Sequence, residues 1–220
     1  MKIKEQLPAL VSIGTNHAGA ASTDPVMLPA VWTRRMLAAL DEGVNGGKWY
    51  SLMDKVCSMQ NLMDAFTRVK ANKGSAGVDH QSVAHFGKHL EANLQEIHTW
   101  LIEGIYYPQS IRRVWIPKPG SKEKRPLGIP TVRDRVVQTA LRNVLEPIFE
   151  RDFSDRSYGF RPGIGCHHAI GRVSALLEQG YTYVVDADIK SYFDTIPHAA
   201  LLSLVESKVS DGKVLSLLKS

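Results

Sequence analysis

The run from Ile111 to Ile129 constrains this chain most. Ile111 to Ile116 is short, β-prone and carries Arg112, Arg113, Val114 and Trp115. Pro117-Lys118-Pro119-Gly120-Ser121 is turn chemistry, because proline presets the backbone and glycine tolerates positive φ. Arg125-Pro126-Leu127-Gly128-Ile129-Pro130 reads as a returning extended segment. Together they predict a basic β-hairpin over 111–129. Its surroundings are helical by pattern, so the fold class expected is α+β with a helix-rich N-terminal part.

The helical segments follow from apolar spacing. Residues 26–41 place Trp32, Met36 and Leu40 four apart, and Gly43 with Gly46-Gly47 ends that element. A helix over 51–70 sets Leu62, Phe66 and Val69 on one face, and one over 81–103 aligns Leu90, Leu94, Ile97 and Leu101. After the hairpin, Thr131 and Asp134 form a capping-box-like start. Val137, Leu141, Val144 and Ile148 then share a face opposite Arg135, Gln138 and Arg142, and Pro147 is expected to kink the end. A helix over 166–178, a strand from Tyr183 to Ile189, a helix over 198–208 and the start of another in the last ten residues complete the pattern. Residues 1–24, rich in Gly, Ala, Ser and Thr, read as a loose arm.

Charge is unevenly spread. The chain has 27 Lys or Arg against 22 Asp or Glu, but residues 111–161 hold 12 against 6, leaving 15 against 16 elsewhere. A local basic stripe fits a polyanion, nucleic acid first. A merely solvated face is the ordinary explanation for a +5 chain, and the clustering favours nucleic acid over it. No apolar run is long enough to span a bilayer, so no membrane partner is expected. The first residues lead into no signal-like segment. Cys57 and Cys166, with no paired spacing, predict neither a disulfide framework nor a zinc ribbon, and point to a reducing cytoplasm.

Two groups of residues carry chemistry. In Val184-Val185-Asp186-Ala187-Asp188-Ile189-Lys190-Ser191-Tyr192-Phe193-Asp194, strand alternation puts Val184, Asp186 and Asp188 on one side. A carboxylate at the end of a buried strand is costly to desolvate, and a hard cation such as Mg²⁺ offsets that cost. Asp188 capping the next turn is the plainer alternative. Lys118 and Arg125, at the two ends of the hairpin turn, could grip a triphosphate or stand solvated.

In their order these pieces resemble the reverse transcriptases encoded by bacterial group II introns, which also act as maturases. The resemblance rests on Asn72-Lys73-Gly74-Ser75-Ala76-Gly77-Val78-Asp79, on Trp115-Ile116-Pro117-Lys118-Pro119-Gly120 with Lys124-Arg125-Pro126-Leu127-Gly128-Ile129-Pro130, on Ser157-Tyr158-Gly159-Phe160-Arg161-Pro162-Gly163, and on the Asp188 motif. It implies a right-hand polymerase fold, with an N-terminal extension over 1–50, a fingers-like region over 51–165 and the start of a palm over 166–220. It implies that Asp188 is the first catalytic aspartate and binds both Mg²⁺ ions, aided by the Ile189 carbonyl. Lys118 and Arg125 would hold the incoming dNTP. The backbone of Lys190, Ser191 and Tyr192 would line the phosphate pocket, and Phe193 would exclude a 2′-hydroxyl. Arg112, Arg113, Arg135, Arg142 and Arg161 are the expected RNA-binding cations.

The family's Tyr-x-Asp-Asp hairpin, thumb and maturase domain have no counterpart in the sequence, and Asp186 and Asp188 lie on one segment, so they cannot alone surround two ions. The chain therefore reads as the N-terminal part of an RNA-directed DNA polymerase, inactive alone, that meets group II intron RNA, an RNA template with DNA primer, dNTP and a complementing C-terminal polypeptide. The alternative is a noncatalytic RNA-binding remnant. A third class, an Asp-x-Asp glycosyltransferase, fits the ordered motifs poorly. Cys166-His167-His168 is not expected to bind metal, because neighbours splay apart on a helix. Asp194 is expected to cap the next helix, with Pro197 near its first turn. Trp115 is expected either to pack or to stack on a base.

Overall fold

A computed structural model describes residues 30–120, 122–189 and 191–220. The arm expected over 1–24 and Lys190 lie outside the described residues. In chain order the helices before the hairpin are α1 (Arg34–Glu42), a 3₁₀ turn (Asn45–Gly47), α2 (Met53–Val56), α3 (Met59–Ala71), α4 (Val83–Lys88) and α5 (Leu90–Glu103). Strands β1 (Arg112–Pro117) and β2 (Lys124–Ile129) follow. Then come α6 (Val132–Glu150), α7 (Cys166–Glu178), α8 (Tyr192–Thr195), α9 (His198–Glu206) and α10 (Gly212–Lys219). None of the described helices is long and apolar enough to cross a membrane. Cys57 is buried and Cys166 exposed, both as free thiols.

Polar side chains move several helix boundaries away from the apolar pattern. Thr33 accepts the Met36 N–H, so α1 starts at Arg34. The helix expected over 51–70 is two, because Ser58 accepts the Asn61 N–H and donates to the Lys55 carbonyl. The helix expected over 81–103 breaks at His89. There the Asn93 amide donates to the Phe86 carbonyl at 2.9 Å, taking an acceptor that a continuous helix would use. Pro147 sits buried within the last turn of α6, where that helix runs on to Glu150.

The core forms where α3 lies along α6 and α5. It joins Leu62, Ala65, Phe66 and Val69 to Leu94, Ile97 and Leu101, and to Val132, Val136, Ala140, Val144 and Ile148. Each such aliphatic or aromatic side chain contributes roughly 1.5–3 kcal/mol on burial. Asn61, fully buried, locks the α3–α6 contact. Its amide nitrogen donates to the carbonyls of Lys55, Val56 and Ala140, and its oxygen accepts from Asn143 at 2.9 Å. Trp32 donates its indole N–H to the Asn143 carbonyl.

The C-terminal residues return to this body. The Trp49 N–H donates to Lys208 O and the Ser210 N–H to Trp49 O, a one-residue parallel bridge. Asp211 caps two helices at once. One carboxylate oxygen accepts Leu52 and Met53 N–H, the other Lys213 and Val214 N–H. Val209 and Val214 are fully buried in the same core.

Two further expectations differ from the structure. Residues 183–189 form no strand: the described sheet contains β1 and β2 alone, and no described segment runs beside Tyr183–Ile189 to share a ladder. Val184 and Val185 are exposed, as are Ile170, Val173 and Leu177 on α7, which buries no residue. Asp194 is also not the cap expected: it lies within α8, and α9 starts at His198 behind Pro197, with no side-chain cap.

Candidate functional site

The hairpin register assigns its two faces. Ile116 pairs with Arg125 and Trp115 with Pro126, and the Lys118 N–H donates to Glu123 O, extending the ladder by one pair. Alternation then puts Arg112, Val114, Ile116 and Lys118 on the same face as Leu127, Arg125 and Glu123. Lys118 and Arg125, distant across the turn in sequence, therefore share a face. The Lys118 ammonium donates to Glu123 at 2.7 Å and, with its charge, holds the Glu123 carboxyl below its usual range. Arg125 has no ion-pair partner among the described residues.

Two structures fix the hairpin base. Asp134, buried at the start of α6, accepts the Tyr106 phenol at 2.6 Å, the Thr131 hydroxyl at 2.7 Å and the Gln109 N–H at 3.2 Å. Thr131 in turn accepts the Asp134 N–H. Burial pushes the Tyr106 phenol well above its ordinary pKa, and the bond to Asp134 adds to that shift. The chain before β1 and the helix after β2 are thus tied together. The loop 72–80 packs on the same corner: Gly77 is buried against the Pro130–Thr131 backbone. Arg135 donates to the carbonyls of Lys73 and Ser75, at 3.3 and 2.8 Å, and so pins that loop to α6. Burial lowers the Arg135 pKa, while Asp79 acts in the opposite sense.

The other expected RNA-binding cations stand in different settings. Arg113 is exposed. Arg112 is partly covered, with a buried Nε that has no partner. Arg142 is exposed and paired with Glu146 one turn along α6 at 2.9 Å. The Arg161 side chain is only 8% exposed: it donates to Glu150 and to the carbonyls of Ser154 and Ser157, closing the 151–161 loop. Its guanidinium faces inward.

Asp186, Asp188 and Ile189 lie on an irregular, exposed segment. Ser191 follows with φ 53°, turning the chain into α8. Phe193 is 77% exposed, with its ring edge-on to Tyr192 at 5.4 Å. No hydrogen bond or ion pair joins this segment to Lys118 or Arg125 among the described residues. Asp186 and Asp188 offer the hard oxygens that Mg²⁺ favours, but no cluster of three His, Cys, Asp or Glu side chains forms among the described residues. The donor type fits a divalent cation and the donor number falls short. His168 has a local role, its Nδ1 accepting the Gly165 N–H at the start of α7.

The residues missed by sequence reasoning are the ones that position others: Asn61, Gly77, Tyr106 and Asp211. Asp211 was signalled by its place just before a helical period. The close approach at Gly77 had no signal beyond the glycine itself.

Part of the chain matches a known family, and several known proteins are similar to it. Residues 116–214 match the family described as Reverse transcriptase (RNA-dependent DNA polymerase). Protein YkfC of Escherichia coli is 41% identical over 163 residues, covering 71% of this chain and 42% of that protein. Group II intron-encoded protein LtrA of Lactococcus lactis is 38% identical over 156 residues, 70% of this chain and 25% of LtrA. Nuclear intron maturase 1 of Arabidopsis thaliana is 35% identical over 91 residues, 41% of this chain and 13% of that protein. The chain thus spans less than half the length of each of these relatives. Residues 116–214 thus carry the match to the reverse transcriptase (RNA-dependent DNA polymerase) family, and the relatives similar to this chain include proteins encoded by group II introns.

Proposed function

We propose that the chain supplies the fingers and the first part of the palm of a right-hand RNA-directed DNA polymerase that also binds its intron RNA as a maturase. The observation that carries this reading is the hairpin register, which sets Lys118 and Arg125 on one face with the family's sequence around both. On this reading residues 51–165 are the fingers, 166–220 begin the palm and 1–50 extend the N-terminus. Lys118 and Arg125 hold the triphosphate of a dNTP. Lys118 exchanges its Glu123 partner for phosphate, while Arg125 offers its planar fork directly. The backbone of Ser191 and Tyr192 lines the phosphates, and Phe193 lies beneath the sugar. Arg112, Arg113 and Arg142 meet RNA phosphates. Arg135 and Arg161 serve the same surface by shaping its loops.

Asp188 and the Ile189 carbonyl would hold Mg²⁺ together with carboxylates from outside the described residues. When bound, the ions would activate the primer hydroxyl and neutralise charge on the phosphates. The exposed apolar residues of α7 and of the 181–189 segment suit cover by further polymerase sequence, including a ladder partner for Tyr183–Ile189. A complementing C-terminal polypeptide is one source. The exposed, unconverged pair Asp186 and Asp188 favours a second reading, in which the chain acts only as an RNA-binding protein.

Primer extension on poly(rA)/oligo(dT) with Mg²⁺ and dTTP separates these possibilities. The isolated chain is expected to stay at background. Synthesis by the chain alone, abolished by Asp188→Ala, would show that the described residues suffice and overturn this division of the site.

A further inference from the structure

The opposite face of the hairpin has no role in holding the dNTP and enters the reading above only through Arg113, yet its composition is unusual for a solvent face. Alternation places Ile111, Arg113, Trp115 and Pro117 there, beside Gly128, Pro126 and Lys124 of the partner strand. Trp115 is 57% exposed, directly opposite the flat ring of Pro126. The other tryptophans are packed: Trp32 is buried, and Trp49 and Trp100 lie against the core. Arg113 and Lys124 stand on either side of Trp115, both exposed. Neither strand puts a carboxylate on this face, because Glu123 belongs to the other one. Gly128 keeps the row flat: a Cβ there would meet Ile111 Cδ1 at 2.7 Å.

An exposed indole between two cations and an imino ring is a stacking platform with phosphate contacts at both ends. The positive charge selects a polyanion. The flat apolar surface between the charges needs a partner that is itself flat and unstacked, which a duplex does not offer and a single strand does. We propose that this outer face binds an unpaired stretch of RNA, with one base stacked on Trp115 and the flanking phosphates held by Arg113 and Lys124. This inference rests on the RNA-binding reading above. It adds a second contact on the side of the hairpin facing away from Lys118 and Arg125.

The test compares the 220-residue chain with Trp115→Ala, Trp115→Phe and the double variant Arg113→Ala/Lys124→Ala. The probes are a fluorescein-labelled oligouridylate and a blunt RNA duplex with the same number of phosphates. Trp115→Ala should weaken oligouridylate binding roughly 5- to 150-fold, the range for losing one stacked base, with an unchanged salt slope and unchanged duplex binding. Trp115→Phe should recover most of the loss. The double variant should flatten the salt slope by close to two phosphates' worth. Trp115 is exposed, so its replacement should leave the melting temperature in place, and that measurement accompanies the titrations. If the unaltered chain binds oligouridylate and Trp115→Ala binds it equally well, or loses single strand and duplex alike, the platform is refuted while the wider RNA reading stands. If the unaltered chain binds neither probe, both fall.

Discussion

Gly77 lies so close to the Thr131 backbone that a Cβ on it would sit 2.7 Å from both the nitrogen and the Cα of Thr131. That contact seats the 72–80 loop on the junction between β2 and α6, where Asp134, itself held by the Thr131 hydroxyl, ties down Tyr106. The obstacle is backbone, which cannot swing aside as a side chain would. Gly77→Ala is therefore expected to cost about 1–3 kcal/mol, the usual range for overpacking. Thermal melting would show it. RNA affinity should fall in the same variant, because Arg135 and its loop move with Gly77.

Asp211 predicts the acid behaviour of the fold. Burial alone would raise its pKa, but backbone N–H bonds from Met53, Val214, Leu52 and Lys213 outweigh burial and lower it. A group whose pKa is lower in the folded state stabilises fully above its unfolded value of about 3.9 and loses that contribution as pH falls through the folded value. Urea melts should thus show stability declining below about pH 4. Asp211→Ala should lower stability at neutral pH by about 2 kcal/mol, since two helix starts lose their cap, and should flatten the acid decline.

The proposed site predicts different effects on nucleotide choice at Phe193 and Arg125. In a polymerase completed by the remaining palm, Phe193→Ala should admit ribonucleotides with modest loss of deoxynucleotide use, because a ring discriminates by volume. Arg125→Ala should raise KM for both alike, since the triphosphate is common to them. Single-nucleotide incorporation of dNTP and rNTP measures both. An unchanged preference in Phe193→Ala would remove that residue from the sugar site.

The sequence was informative where structure is set by local contacts. The hairpin was legible in its turn residues and β-branched runs, and the structure reproduces it from Arg112 to Ile129. The apolar faces of α3, α5 and α6 followed from the 3.6-residue period. What was not legible depends on partners distant in sequence. Ser58 and Asn93 divide helices that periodicity alone joins. Asn61 and Asn143 meet in the core although nothing in either segment announces it. Tyr183 to Ile189 has the composition of a strand, but a strand exists through its ladder, and none of the described segments supplies one. For Arg161, residue type suggested an outward RNA contact, whereas Glu150 and two loop carbonyls hold its guanidinium inward.

The most direct test of the central claim is a chimera in which the matched stretch of LtrA, 38% identical over 156 residues, is replaced by the corresponding residues of this chain. The measurement is RNA-templated dNTP incorporation in Mg²⁺, with Asp188→Ala in the same chimera as its control. The account predicts synthesis well above background that Asp188→Ala abolishes. A folded, RNA-binding chimera that makes no DNA, or one whose synthesis survives Asp188→Ala, would contradict it.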